Sequence, residues 1–184
     1  MPTDFTTGGR TAENSAWQYA AAPGELSQLN GHVAFEWNCM DAWFEEDEEV
    51  HAHPADPFHR IDIRHSSRHV RVVVAGETVA ETWQPVLLFE TGLPVRSYLP
   101  KPDVRLDWLV PSEKETWCAY KGKAAHFSFQ VSGRLVKDIA WSYPFPNPEF
   151  SKIQNLICFY NERLDNFFVD GVADPKPQAP WSGS

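Results

Sequence analysis

Ala124-Ala-His-Phe-Ser-Phe-Gln-Val-Ser-Gly-Arg-Leu-Val-Lys-Asp-Ile-Ala-Trp141 decides how this chain folds. Two runs, Ala124 to Val131 and Arg134 to Trp141, are rich in aromatic and β-branched residues and flank Ser132-Gly133, a pair suited to a tight two-residue turn. The reading is a β-hairpin. With that register Phe127, Phe129 and Val131 share one face with Val136, while His126 and Ser128 share the other with Lys137, Ile139 and Trp141. The second face is therefore not wholly polar: it is a solvated outer surface or a cavity wall onto which His126 and Trp141 project.

Working outward, Arg68 to Trp83 reads as another hairpin, with Val72, Val74 and Val79 around Ala75-Gly76. Two other segments carry apolar residues three and four apart, the spacing of one helical face. The first runs from Leu29 to about Phe44 through Val33, Trp37 and Met40. The second opens at Pro148-Glu149 and runs through Ile153, Leu156, Ile157, Tyr160 and Leu164. The fold class expected is mainly β (α+β), with two helices flanking a β body. A shift of 124 positions aligns Phe35 with Phe159, Met40 with Leu164, Asp41 with Asp165, Trp43 with Phe167 and Phe44 with Phe168. That suggests a duplicated element whose first copy has lost most of its strands, a truncated repeat at 33–50 and 157–172.

The organisation expected is an N-terminal arm at 1–28, flexible or draping, then a single β-rich domain at 29–173 and an irregular tail at 174–184 containing Pro175, Pro177 and Pro180. A chain of 184 residues holds one well-buried core or at most two small halves. Eight Trp and twelve Phe favour a densely packed β-rich interior or an aromatic-lined cavity. A net charge of -9 disfavours nucleic acid as a partner, because such affinity rests on Lys and Arg displacing counterions. Met1 to Gly31 has no basic region followed by an apolar run, and no window is long enough to span a bilayer, so a soluble cytoplasmic protein with no membrane partner is expected. Cys39, Cys118 and Cys158 are odd in number and lack a Cys-x-x-Cys pair, and each is read as a reduced, buried side chain.

Phe89 to Asp103 is the stretch that points to a site. Gly92, Pro94, Pro100 and Pro102 restrict its backbone at many points, so Glu90, Arg96, Tyr98 and Asp103 are held in place rather than merely solvated. Read in order, Glu90-Thr-Gly-Leu-Pro94 with Arg96, Tyr98, Pro100 and Asp103, then Cys118-Ala-Tyr-Lys-Gly122, Ala140-Trp-Ser-Tyr-Pro144 and Phe159-Tyr160 resemble the ordered signature of the domain-of-unknown-function 427 family. The resemblance covers roughly Ala34 to Val172. It implies a small single-domain protein with a curved antiparallel sheet, tent-like or half-barrel. The family is also labelled nucleotidyltransferase-like, but a Gly-Ser turn followed by paired metal-binding carboxylates on a strand does not occur in the folded part. Two departures stand out: Cys118-Ala119-Tyr120-Lys121-Gly122 replaces the family's Cys-Pro-Tyr-Lys-Gly, and His126 stands where an aromatic residue such as tyrosine is more common.

Each candidate has a chemical and a structural reading. Glu90 and Arg96 are a positioned carboxylate and a guanidinium that holds a ligand oxygen, or a mutual salt bridge pinning the loop. Tyr98, Tyr120 and Tyr143 donate hydrogen bonds inside a cavity with Trp141 as a wall, or are core residues. Lys121 is an acid or Schiff-base lysine, or a surface lysine on a turn. His126 moves a proton or is packed. His51, His53, Asp56 and His59 contain two histidines spaced for one strand face, but Pro54 and Pro57 break the strand at once and no fourth ligand is placed, so a junction loop is the reading. The run Glu45 to Glu49 reads as a solvated edge. The leading hypothesis is a cofactor-independent, metal-free enzyme acting on a small organic molecule by proton transfer: an isomerase, cyclase, dehydratase or related lyase. Glu90, Arg96, His126 and Lys121 would be catalytic, and Tyr98, Tyr120, Trp141 and Tyr143 substrate-binding. The alternative is a non-catalytic module binding a small ligand or peptide, with nucleotide transfer third. A homodimer is the oligomeric state to test.

Overall fold

A computed structural model describes residues 2–178; Met1 and residues 179–184, the end of the expected tail, lie outside the described residues. The chain divides into two compact units, Met1–His53 and Pro54–Ser184, at the proline-broken loop.

In the first unit, β1 (Pro2–Thr7), β2 (Arg10–Trp17) and β3 (Ala34–Phe35) form an antiparallel sheet in that order, and β4 (Phe44–Glu45) pairs with β5 (Glu48–Glu49). Residues 2–17, expected as an arm, thus pair as a hairpin closed by Gly8-Gly9, both in the left-handed region.

The second unit contains β6 (Ile61–His65), β7 (Val70–Val74), β8 (Glu77–Thr82), β9 (Val86–Glu90), β10 (Arg96–Leu99), β11 (Leu109–Cys118), β12 (Gly122–Val131), β13 (Arg134–Ser142), β14 (Ile157–Phe159), β15 (Asn166–Val169) and β16 (Val172–Ala173). They make a seven-stranded sheet, β11-β12-β13-β14-β10-β9-β6, and a four-stranded one, β16-β15-β7-β8, with antiparallel neighbours throughout. Strand alternation sends Leu99, Phe129, Ile157 and Phe159 to one face of the larger sheet, where they pack on Val70, Val72, Val74 and Val79 of the smaller. The opposite face carries a second buried cluster, with Ile63, Leu88, Tyr98, Trp141, Tyr143 and Cys158.

Both sequence-read hairpins are present, turning at Ala75-Gly76 and Ser132-Gly133 with positive φ at all four residues. The face assignment of the second needs one correction. His126 does pair with Trp141, but Ile139 packs into the opposite cluster with Phe129. An irregularity in the ladder, with Asp138 at φ 50, sets Lys137, Asp138 and Ile139 opposite Ser128 alone and takes Ile139 out of the alternation.

The expected fold class is overturned. In place of one curved, tent-like or half-barrel sheet flanked by two helices, the chain has a mixed fold of several open antiparallel sheets, and among the described residues every helical segment is a 3-10 helix of six residues or fewer. The segment from Leu29 to Phe44 is interrupted by left-handed Gly31 and by β3, leaving a 3-10 turn only at Trp37–Cys39. The second stops after Pro148–Ile153, where Asn155 takes φ 60; Ile157–Phe159 is then a strand paired on both edges, with β10 and β13. Apolar spacing of three arose from 3-10 turns, whose side chains recur every third residue. Among the described residues no helix is long and apolar enough to cross a membrane.

Candidate functional site

β9 ends at Glu90, and two titratable groups converge on its carboxylate. Lys121 Nζ donates to both oxygens at 2.7 Å, and His59 Nε2 lies 3.1 Å from Oε1. Lys121 comes from the turn joining β11 to β12. That turn needs Gly122, which sits at φ +89 with the space for a Cβ bounded by Asn147 Oδ1 at 3.4 Å. Asn147 grips the turn from outside: its side-chain amide donates to Tyr120 O at 2.6 Å and its N–H to Lys121 O at 3.2 Å.

His59 arrives on the loop before β6. Its ring stacks on Tyr120 with centroids 4.5 Å apart, and the Tyr120 hydroxyl accepts the Asp56 N–H at 2.9 Å. The Asp56 carbonyl accepts the His59 N–H, and its Oδ1 the Phe58 N–H, so the loop is folded back to present the imidazole. The Lys121 and Glu90 side chains are 7% and 9% exposed while His59 is 20% exposed, so the imidazole is the most exposed member of the cluster. Chemically, a carboxylate here can take a proton, an ammonium can stabilise charge on an oxygen, and the imidazole can carry protons outward.

The other expected site residues lie on the same strands but in separate groups. His126, Trp141, Cys158 and Tyr98 stand opposite one another across β12, β13, β14 and β10. Trp141 Nε1 donates to the Tyr98 hydroxyl at 3.2 Å. Burial raises the phenols of Tyr98 and Tyr143 well above the ordinary value and pushes the Cys158 thiol up to about 12. Arg96 does not meet Glu90. Its guanidinium forms a two-point pair with Glu162 at 2.8 and 3.0 Å, and lies 5.5 Å from the Trp141 ring centroid and 5.9 Å from that of Tyr160. Burial works against its charge, but the Glu162 hydrogen bond and nearby negative charge more than offset it and hold its pKa above the ordinary value. The salt bridge weighed between Glu90 and Arg96 is thus replaced by two, Glu90–Lys121 and Arg96–Glu162.

His126 Nε2 lies 2.9 Å from Thr116 Oγ1, while its Nδ1, though buried, makes no hydrogen bond. Burial, reinforced by the charge of Lys114, lowers its pKa to about 4, so the ring is neutral at pH 7.

Of the eight residues read from sequence, the structure gathers Glu90, Lys121 and Tyr120 at one point, buries Tyr98, Trp141 and Tyr143 in the core cluster, and places Arg96 and His126 with partners of their own. In the sequence His59 reads only as part of a histidine loop, and nothing there singles out Glu162. The signal for Tyr160, part of the ordered motifs, was there without a role. Among the described residues no group of three or more His, Cys, Asp or Glu is placed to hold a metal ion, and His59 meets Glu90. Cys39 is exposed and Cys118 half-buried, correcting the reading of three buried thiols.

Sequence comparison fits this arrangement of motifs. A family described as a domain of unknown function, DUF427, matches residues 3–46 and 62–170. The chain belongs to the DUF427 family. No curated protein matches it. Within this DUF427 chain the matched motifs supply Glu90, Lys121, Trp141 and Tyr160, whereas His59 lies between the two matched stretches.

Proposed function

We propose that the protein catalyses proton transfer on a small organic molecule, with the Glu90–Lys121–His59 cluster as its acid–base centre. The observation that carries this reading is the meeting of Lys121 Nζ and His59 Nε2 on one carboxylate, at 2.7 and 3.1 Å, at the rim of an aromatic core. Glu90 takes the proton from carbon, Lys121 stabilises the oxygen on which negative charge develops, and His59 returns a proton from the solvent side. Isomerisation, cyclisation and dehydration all use that sequence of steps. Arg96 and Glu162 act at a distance by fixing Trp141 and Tyr160.

A non-catalytic ligand-binding role is favoured by one feature, that both Glu90 oxygens already accept from Lys121. The two readings separate in heavy water. Small 2-oxo acids and 3-oxo esters are incubated with the full chain, and deuterium entering their acidic carbon positions is followed by proton NMR. Catalysis predicts incorporation above the uncatalysed rate, lost in Glu90→Gln. Saturable binding of any of these compounds with no incorporation overturns it and leaves the binding module.

A further inference from the structure

The repeat read between residues 33–50 and 157–172 extends, in the structure, over residues 2–50. Shifted by 124 positions, the β1–β2 register becomes that of β12–β13 pair by pair: Thr3↔Ala16 matches Phe127↔Ala140, Phe5↔Ala12 matches Phe129↔Val136, and Thr7↔Arg10 matches Val131↔Arg134. The ladder irregularity falls at the same place in both hairpins. Left-handed Asn14 matches left-handed Asp138, and their N–H groups donate to the equivalent side chains of Asp4 and Ser128. The β2–β3 pairing matches β13–β14, and β4–β5 matches β15–β16. Residues 2–50 therefore fold as the same half-domain as residues 126–174.

The two halves differ in what covers them. In the second unit the β7–β8 hairpin does so at three places. Its first strand β7 lies antiparallel to β15, with the Arg71 guanidinium 4.1 Å from the Phe168 ring centroid. Its turn donates the Gly76 N–H to Asp165 Oδ2 at 2.8 Å. Its valines bury Phe129, Val131 and Leu164. The equivalents in the first unit are Phe44, Asp41, Phe5, Thr7 and Met40. Among the described residues β4 pairs only with β5; Phe44 is 60% exposed and Phe5 39%, and Phe5, Thr7, Met40 and Asp41 line a hollow where the valines would sit. Among the described residues Asp41 pairs with Arg10, in an exposed ion pair that is cheaply exchanged.

On this face Phe5, Phe35 and Trp43 stand for Phe129, Phe159 and Phe167. On the opposite face Trp17 stands for Trp141, while His126, Tyr160 and Glu162 become Pro2, Glu36 and Asn38. The half-domain has kept the aromatic residues of this packing surface, while the imidazole of His126 and the carboxylate of Glu162 have no counterpart at Pro2 and Asn38. Beside that surface, Glu45 to Glu49 puts five acids where the other copy has Val169 to Ala173.

We propose that this face is a docking surface for a β-hairpin of a partner protein, built like β7–β8: a valine-rich edge strand antiparallel to β4, a Lys or Arg over Phe44, and a turn N–H on Asp41. The acidic run selects the basic strand, as charge complementarity does at interfaces generally.

The test uses the full-length, nitrogen-15-labelled chain and a synthetic peptide of residues 68–84. Saturable amide shifts are expected at Phe5 and Met40 to Phe44 and not at Asn166–Val169. Binding should weaken at least about fivefold with a peptide carrying Arg71→Glu, and likewise with Phe44→Glu in the chain. Shifts absent at millimolar peptide, confined to Asn166–Val169, or equal for both peptides overturn the proposal. So does broadening at Phe44 that grows with chain concentration without peptide, which assigns the face to a second copy.

Discussion

Arg96 and Glu162, 66 positions apart, are joined at two points while their side chains are 7% and 6% exposed. A guanidinium that is paired, buried and near two aromatic rings is a strut between β10 and the turn after β14. Breaking such a pair leaves an uncompensated buried charge, at a cost of about 3–5 kcal/mol. Arg96→Met should therefore lower stability by that order in urea unfolding, and the double variant Arg96→Met/Glu162→Met should lose less than the two single changes combined.

His126 predicts a particular acid sensitivity. Its folded pKa of about 4 lies below the ordinary 6.5, so the unfolded chain binds the extra proton first. The contribution is fully present well above pH 6.5 and is lost as pH falls from 6.5 to 4, on the order of 3 kcal/mol. Stability measured against pH should fall less steeply over that window in His126→Phe, while the two slopes agree above pH 7.

Gly122 connects fold to site. A side chain at its left-handed backbone is strained even though the Asn147 contact at 3.4 Å is an ordinary one, so Gly122→Ala should cost about 1–3 kcal/mol by thermal unfolding. Because Lys121 precedes it directly, the His59 and Lys121 resonances should also move in NMR spectra, whereas those of Arg96 should not.

Thiol chemistry follows burial. Cys39 is exposed, whereas burial pushes Cys158 up to about 12 and leaves almost no thiolate at pH 8. A disulfide-exchange reagent should label Cys39 first and Cys158 only on unfolding, and Cys39→Ser should remove the fast phase.

The hairpins were legible because Ala75-Gly76 and Ser132-Gly133 write their turn chemistry locally. The segments read as helices were not, because Trp37 to Met40 and Ile153 to Leu156 have a spacing that 3-10 turns share with helices. Individual site residues stood out, but not their pairing. Glu90 and Lys121 are 31 positions apart and Arg96 and Glu162 66, and nothing local states which cation crosses to which carboxylate. His59 was hidden by its neighbours His51 and His53, which suggested a ligand set instead of a single imidazole delivered to Glu90.

Deuterium incorporation into 2-oxo acids and 3-oxo esters, compared between the native chain and Glu90→Gln at equal concentration, tests the central claim most directly. The account predicts incorporation by the native chain that falls by roughly 100-fold or more in the variant, with thermal unfolding still cooperative. Equal incorporation by both chains, or a ligand bound by both and exchanged by neither, would contradict it.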